Sequence, residues 1–580
     1  MRRAFSCKST ARACCCGNKL ITVEGWEEAA MKTGEMGDNR GEPRRITSKI
    51  TLAAMIGVAA LGWVTPTSAE KLVGHPSART ESGLVIGSTT NGINQFLGIP
   101  YAAPPVAALR WAPPKPYGSF PGHVLEATQF GNECTQPGGI GSEDCLFLNV
   151  YAPLNQIPEN AWPVMVWIHG GSLIQGGSNP YDPTRLVDKG VIVVTINYRL
   201  GYLGFFAHSA IDAEGHLNGN YGLMDQQFAL EWVRDNIAGF GGDPDRITIF
   251  GESAGGQSVY AHLASPLAAD LFHRAIAESG SYFNFQDYFG SIVPLAVAET
   301  TGTAFVPSGS AIAQSVGCTE QTTAAACLRA VPASAFVNIA PRLCCLYPFV
   351  DGTLLTKTIS AALASGEFNR VPVISGANHD EGRFFVAVQY DLSGKPILTP
   401  AQYEAAVTAF WGSTLAPSVL SMYPFAGYSS GGEALGASGT DGVFSCPARN
   451  AVQSLSKFVR TYAYEFNDEN APPPQSAFGG LLTFPLGAYH TAELQYLFNG
   501  NFFGLLPVAP LSPPQQQLSD TMVDYWTQFA KTGNPNSYGN PAWPPYNALV
   551  DKFQSLIPPA PTFETNFNPA HQCSTFWNTF

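Results

Sequence analysis

Six consecutive residues, Gly251-Glu252-Ser253-Ala254-Gly255-Gly256, have the types and spacing for nucleophilic catalysis. They follow a short β-branched run, Ile247–Phe250 (ITIF), and precede a helix-compatible stretch, Gln257–Ala264. A G-x-S-x-G serine set between strand and helix is lifted clear of the sheet with its hydroxyl exposed. A turn that tight strains the backbone and leaves no room for flanking side chains, hence the glycines.

A serine hydroxyl attacks a carbonyl efficiently only when a base takes its proton and an acid orients the base. In hydrolases with this turn the chain order is Ser, then Asp or Glu, then His. The segment 376–382 (GANHDEG) follows the strand-like run 371–375 and offers Asp380 and Glu381. Spacing leaves the choice between them open. Only His490 and His571 lie beyond. His571 sits beside Cys573 near the C-terminus and reads as structural. His490, in GAYHTAEL, lies on a loop before a helical run and reads as the base. Negative charge developing on the carbonyl oxygen needs backbone N–H donors. Ala254, directly after the serine, supplies one. His169-Gly170-Gly171-Ser172, directly after the apolar run VMVWI, is the expected source of the others. No metal-ligand spacing is evident, and the chemistry requires neither metal nor cofactor.

These residues need a rigid frame. The runs 164–169 (VMVWIH), 191–197 (VIVVTIN) and 247–250 are apolar on both faces, as buried parallel strands are. Between the second and third, residues 226–237 (QQFALEWVRDNI) have helical periodicity. Such alternation predicts βαβ units and an α/β fold around a mostly parallel sheet. The Pro- and Gly-rich segments 102–122 and 471–480 read as loops. No repeat or linker divides the chain after residue 69, so 70–580 is expected to be one domain with long insertions.

Residues 1–69 differ. A short apolar run, 50–64, follows Arg44, Arg45 and Lys49 and precedes Thr67-Ser68-Ala69, the layout of a signal peptide cleaved near Ala69. Translation from Met31 instead of Met1 would bring that signal nearer the N-terminus. The expected location is therefore secreted or periplasmic. Of 31 basic and 44 acidic residues, removal of 1–69 takes ten and six, leaving 21 against 38 and a net charge of −17. An acidic chain lacking basic clusters is unsuited to nucleic-acid phosphates. No later segment has the length of a spanning helix, so no stable membrane insertion is expected. The expected partner is a small-molecule substrate; oligomeric state is not legible. Eight cysteines remain, and export makes disulfides their natural state.

Taken together, these blocks resemble the type-B carboxylesterases and lipases, a family that includes the cholinesterases. The segment 143–151 (EDCLFLNVY) resembles one family signature, and 240–256 (FGGDPDRITIFGESAGG) the nucleophile segment. Residues 219–230, 376–382, 487–498 and 525–536 match further blocks in order. The resemblance implies an α/β-hydrolase fold and ester hydrolysis through an acyl-enzyme on Ser253, with Glu381 as acid and His490 as base. It implies oxyanion donors at Gly171, Ser172 and Ala254, and a supporting serine, Ser279, near the acid. It also implies disulfides Cys134–Cys145, Cys318–Cys327 and Cys446–Cys573, leaving Cys344 and Cys345 without assigned partners.

Departures from the pattern refine the expectation. The third glycine of the oxyanion turn is Ser172, followed by Leu173; a backbone amide survives there, and the side chain narrows the hole against bulky alcohols. The loop between Cys134 and Cys145 is short and lacks an aromatic residue to hold a choline cation, which argues against choline esters. It also leaves little material for a lid, favouring soluble esters over lipids. The alternatives are a catalytically silent binding protein of the same fold, or a triacylglycerol lipase or amidase.

Overall fold

The computed structural model describes residues 74–283, 285, 292–303, 306–339, 346–474, 478, 480–499 and 509–580. The expected export segment and Cys344 and Cys345 lie outside these residues.

An eleven-stranded sheet forms the frame. In chain order its strands are β1 (Ser88–Thr90), β2 (Ile93–Pro100), β3 (Phe147–Pro153), β4 (Trp162–Ile168), β5 (Ile192–Ile196), β6 (Gly242–Glu252), β7 (Arg274–Glu278), β8 (Val373–Asn378), β9 (Thr461–Phe466), β10 (Phe553–Leu556) and β11 (Thr562–Glu564). Their spatial order is β1-β2-β3-β5-β4-β6-β7-β8-β9-β10-β11. From β5 to β10 every neighbour is parallel. Antiparallel strands finish both edges.

Alternate side chains along each strand pass to opposite faces, so a strand covered on both sides must be apolar throughout. In β4, Val164, Val166 and Ile168 enter one core, while Met165 and Trp167 enter another. Helices cover the first face through α1 (Tyr221–Asn236) and α2 (Ala254–Ala264), which contribute Leu230, Val233, Val259 and Leu263. A later helix, Pro513–Thr532, covers the second with Leu518, Met522, Trp526 and Phe529. Each buried side chain of this size contributes about 1.5–3 kcal/mol. Truncating fully buried Trp167 to Ala is expected to cost about 3–5 kcal/mol.

The register sets the height of the functional loops. Gly251 pairs with Ile168, Glu252 with Glu278, and Glu278 with Gly376. The ends of β4, β6, β7 and β8 therefore open on one rim, the carboxyl edge where open α/β sheets hold their ligands.

Three cross-links are present among the described residues: Cys134–Cys145, Cys318–Cys327 and Cys446–Cys573. They are the pairings the resemblance implied.

Candidate active site

Ser253 sits where β6 ends and α2 begins, with φ 56° and ψ −121°. Only a tightly held turn keeps a non-glycine residue there. Its N–H donates to Glu278 O at 2.9 Å, and its carbonyl accepts from Gln257 N at 2.8 Å. A Cβ on Gly255 would fall 1.9 Å from Ile168 O, and one on Gly251 2.6 Å from the same oxygen. These two glycines let α2 start directly against β4. The first-turn amides of α2 lie beside the serine, where the helix dipole favours negative charge.

His490 precedes a short 3-10 turn, Ala492–Tyr496, and is almost fully buried. Its Nδ1 lies 2.5 Å from Glu381 Oε2. The other oxygen, Oε1, accepts from Asn378 N at 2.8 Å, which fixes the carboxylate plane. Glu381 opens a helix, α3 (Glu381–Val386), directly after β8. Asp380 faces elsewhere: its Oδ2 accepts from Ala488 N at 2.9 Å, and Oδ1 pairs with Arg383 at 3.0 Å. The structure brings Glu381, not Asp380, to His490. Phe385 and Phe444 wall the imidazole, with ring centroids 4.8 and 5.2 Å away.

The turn after β4 carries three successive positive φ angles: Gly171 at 101°, Ser172 at 61° and Leu173 at 61°. A Cβ on Gly171 would meet Gln175 O at 2.1 Å, so glycine is obligatory there. His169 stacks on Tyr198 at 4.4 Å, and burial lowers its pKa to about 4, keeping it neutral. The Cys134–Cys145 loop lies against this segment. Gly176 N donates to Gln136 Oε1 at 2.9 Å, and Gln136 Nε2 donates back to Gly176 O at 3.1 Å.

Sequence reasoning missed three groups. Glu252, immediately before the serine, is buried with Oε1 3.2 Å from His490 Nε2, without hydrogen-bond alignment. Burial, reinforced by the nearby carboxyls of Glu493, Glu381 and Glu278, holds Glu252 well above the usual carboxylate range, hence protonated. Burial likewise pushes Glu278 to about 8, although Trp526 Nε1 donates to it at 2.8 Å. The third is Tyr282, whose buried hydroxyl lies within reach of the Ser253 side chain. Glu252 stood inside the quoted hexapeptide and its position beside the serine was a usable signal; Tyr282 had none. Ser279 follows β7 with φ 51°; its N–H donates to Gly376 O at 3.0 Å, and its buried Oγ bonds to no described residue.

Comparison with known proteins gives a consistent answer. Residues 74–574 match the model of the "Carboxylesterase family". The chain is 35% identical over 498 residues to para-nitrobenzyl esterase of Bacillus subtilis (strain 168), covering 82% of this chain and 93% of that protein. It is 33% identical over 525 residues to human cocaine esterase, covering 84% and 88%. A mouse acylcarnitine hydrolase is 34% identical over 530 residues, covering 84% and 88%. Among solved structures, a PNB esterase aligns with a TM-score of 0.71 at 32% identity, covering 87% of this chain and 99% of that one.

Proposed function

The chain belongs to the carboxylesterase family and is a serine hydrolase of carboxylic esters, and from that premise we propose that Ser253, His490 and Glu381 carry the reaction. The observation that carries this reading is the 2.5 Å contact between His490 Nδ1 and Glu381 on the rim where β6 delivers Ser253.

Ser253 Oγ attacks the ester carbonyl while His490 takes its proton at Nε2. Glu381, fixed by the Asn378 amide, holds the imidazole in the Nδ1–H tautomer and stabilises its charged form. The amides of Gly171, Ser172 and Ala254 receive the oxyanion, aided by the start of α2. The alcohol leaves with the proton from His490. Water, activated by the same imidazole, then releases the acid. A protonated Glu252 adds no second anion beside Nε2, leaving Glu381 as the charge that sets the base.

Soluble esters of modest alcohols are the preferred substrates in this reading. The Cys134–Cys145 loop is tied down through Gln136 and so does not serve as a lid, and Ser172 narrows the oxyanion turn. The three disulfides support an oxidising location, secreted or periplasmic.

The test is a fluorophosphonate probe followed by peptide mapping. The adduct is expected on Ser253 and absent from Ser253→Ala. Label at another residue, or label persisting in that variant, would overturn the assignment. A panel of short esters, anilides and emulsified triglycerides then separates esterase from amidase and lipase.

A further inference from the structure

Beside the end of β8 that carries Glu381, three residues from distant segments meet. His379 follows β8, Glu465 lies in β9, and His571 is nine residues from the C-terminus. Two ring nitrogens and one carboxylate oxygen, one from each, lie within 4.8 Å of one another. The two imidazole rings stand 5.6 Å apart, inclined at 60°.

We propose that His379, Glu465 and His571 form a structural binding site for a divalent cation of the zinc class. Two imidazoles and a carboxylate suit Zn²⁺, which takes N and O donors at about 2.0–2.2 Å in tetrahedral geometry. Each histidine is backed by a carboxylate: Asp441 Oδ1 lies 2.6 Å from His571 Nδ1, and Asp380 Oδ1 3.3 Å from His379 Nδ1. Ligand histidines are oriented by a carboxylate on the other ring nitrogen; His571 is held in this way, while His379 Nδ1 lies near Asp380 without hydrogen-bond alignment. The fourth position falls to water. Asn467 Nδ2 bridges Glu465 Oε2 at 3.2 Å and Glu564 Oε2 at 3.3 Å, which holds the two carboxylates side by side.

Asp380, Asp441 and Glu465 stand against the two imidazoles from three separate segments. His571 Nε2 and Glu465 Oε1 now face each other at 2.6 Å. Coordination would open that pair to about 3.3 Å, the ligand–ligand spacing of a tetrahedral zinc site. The proton between them leaves to water. Glu465 and His571 are buried, whereas His379 and Glu564 are partly exposed, so the ion enters past those two. The nearby Cys446–Cys573 disulfide anchors the segment that carries His571.

The experiment uses the full chain, stripped with EDTA and dialysed against ZnCl₂, with bound zinc measured by elemental analysis. One zinc per chain is expected, together with a Tm that rises with zinc concentration. His571→Asn removes a buried, doubly bonded ring and is a poor test of binding if folding suffers. His379→Ala, at the partly exposed position, is expected to keep the fold and weaken zinc binding at least tenfold. A control at a partly exposed histidine outside the cluster, His216→Ala, is expected to leave zinc binding unchanged. Absence of retained zinc, or undiminished binding and Tm response in His379→Ala, would overturn the proposal.

Discussion

Gln136 and the backbone of Gly176 exchange two hydrogen bonds, one in each direction, across a gap of forty positions in the chain. A loop closed by the Cys134–Cys145 disulfide thereby holds the far end of the oxyanion turn.

Removing that brace should therefore act on chemistry rather than on substrate affinity. Gln136→Ala is expected to lower kcat several-fold, up to about tenfold, with little change in KM, because an oxyanion donor out of place is felt only in the transition state. A stability loss of about 1–2 kcal/mol should accompany it, for two partly buried bonds. Steady-state kinetics with a chromogenic ester, plus a denaturant melt, decide the matter. Lost stability with intact kcat would reduce the loop to a purely structural part.

The two neighbouring acids should separate cleanly. Glu381→Gln is expected to cut kcat by about 10³–10⁴, because an amide selects the wrong imidazole tautomer. Asp380→Asn keeps an acceptor for Ala488 N and should cost less than about tenfold. Equal losses in both variants would count against Glu381 as the orienting acid.

Ser172 holds a left-handed φ of 61° at a position where an L side chain is strained by about 1–2 kcal/mol. Ser172→Gly relieves that strain but frees the unfolded chain by about 0.5–1 kcal/mol, so the net expectation is a gain below about 1 kcal/mol. The backbone amide is kept, and the ratio of kcat/KM for bulky-alcohol esters over ethyl esters should rise. A lower Tm, or an unchanged ratio, would show that the serine side chain makes a contact worth more than its strain.

Glu278 gives a pH signature. Its pKa of about 8 in the folded chain exceeds the ordinary 4.5, so the folded state keeps a proton that the unfolded state has released. Its contribution to stability is thus fully present below about pH 4.5 and declines as pH rises towards 8, at up to about 1.4 kcal/mol per pH unit. Glu278→Gln stays neutral and still accepts from Trp526, so its stability relative to the parent should climb through that window. Parallel pH profiles of parent and variant would contradict a neutral Glu278.

How much of this was legible beforehand follows from where the information resides. The turn around Ser253 is local: strand, glycines and helix are contiguous, and the close approaches of Gly251 and Gly255 to Ile168 explain why the pattern is so restrictive. The strands β4 and β5, and residues 247–250 of β6, were readable because both faces are buried and largely apolar; β6 begins earlier, at Gly242, through a polar, partly exposed stretch with no such pattern. Choosing Glu381 over Asp380 needed family resemblance, because the two differ only in which way a helix start aims them. The Glu252–His490 approach, the Gln136 brace and the partners of His571 depend on segments that meet only in the folded chain. Periodicity carries no trace of such meetings.

The Cys446–Cys573 bond encloses the chain from β9 to the last helical turns, including the fully exposed Tyr538 and Leu549. A protease that nicks the backbone once, at either tip, would not release a fragment. The cut ends would stay fastened through sulfur, with β10 still paired to β9, and the enzyme would run as one band on a gel until a reducing agent separated the pieces. Nicked and intact molecules would be told apart only after reduction, which makes this crosslink a safeguard against digestion as well as a clasp on the fold.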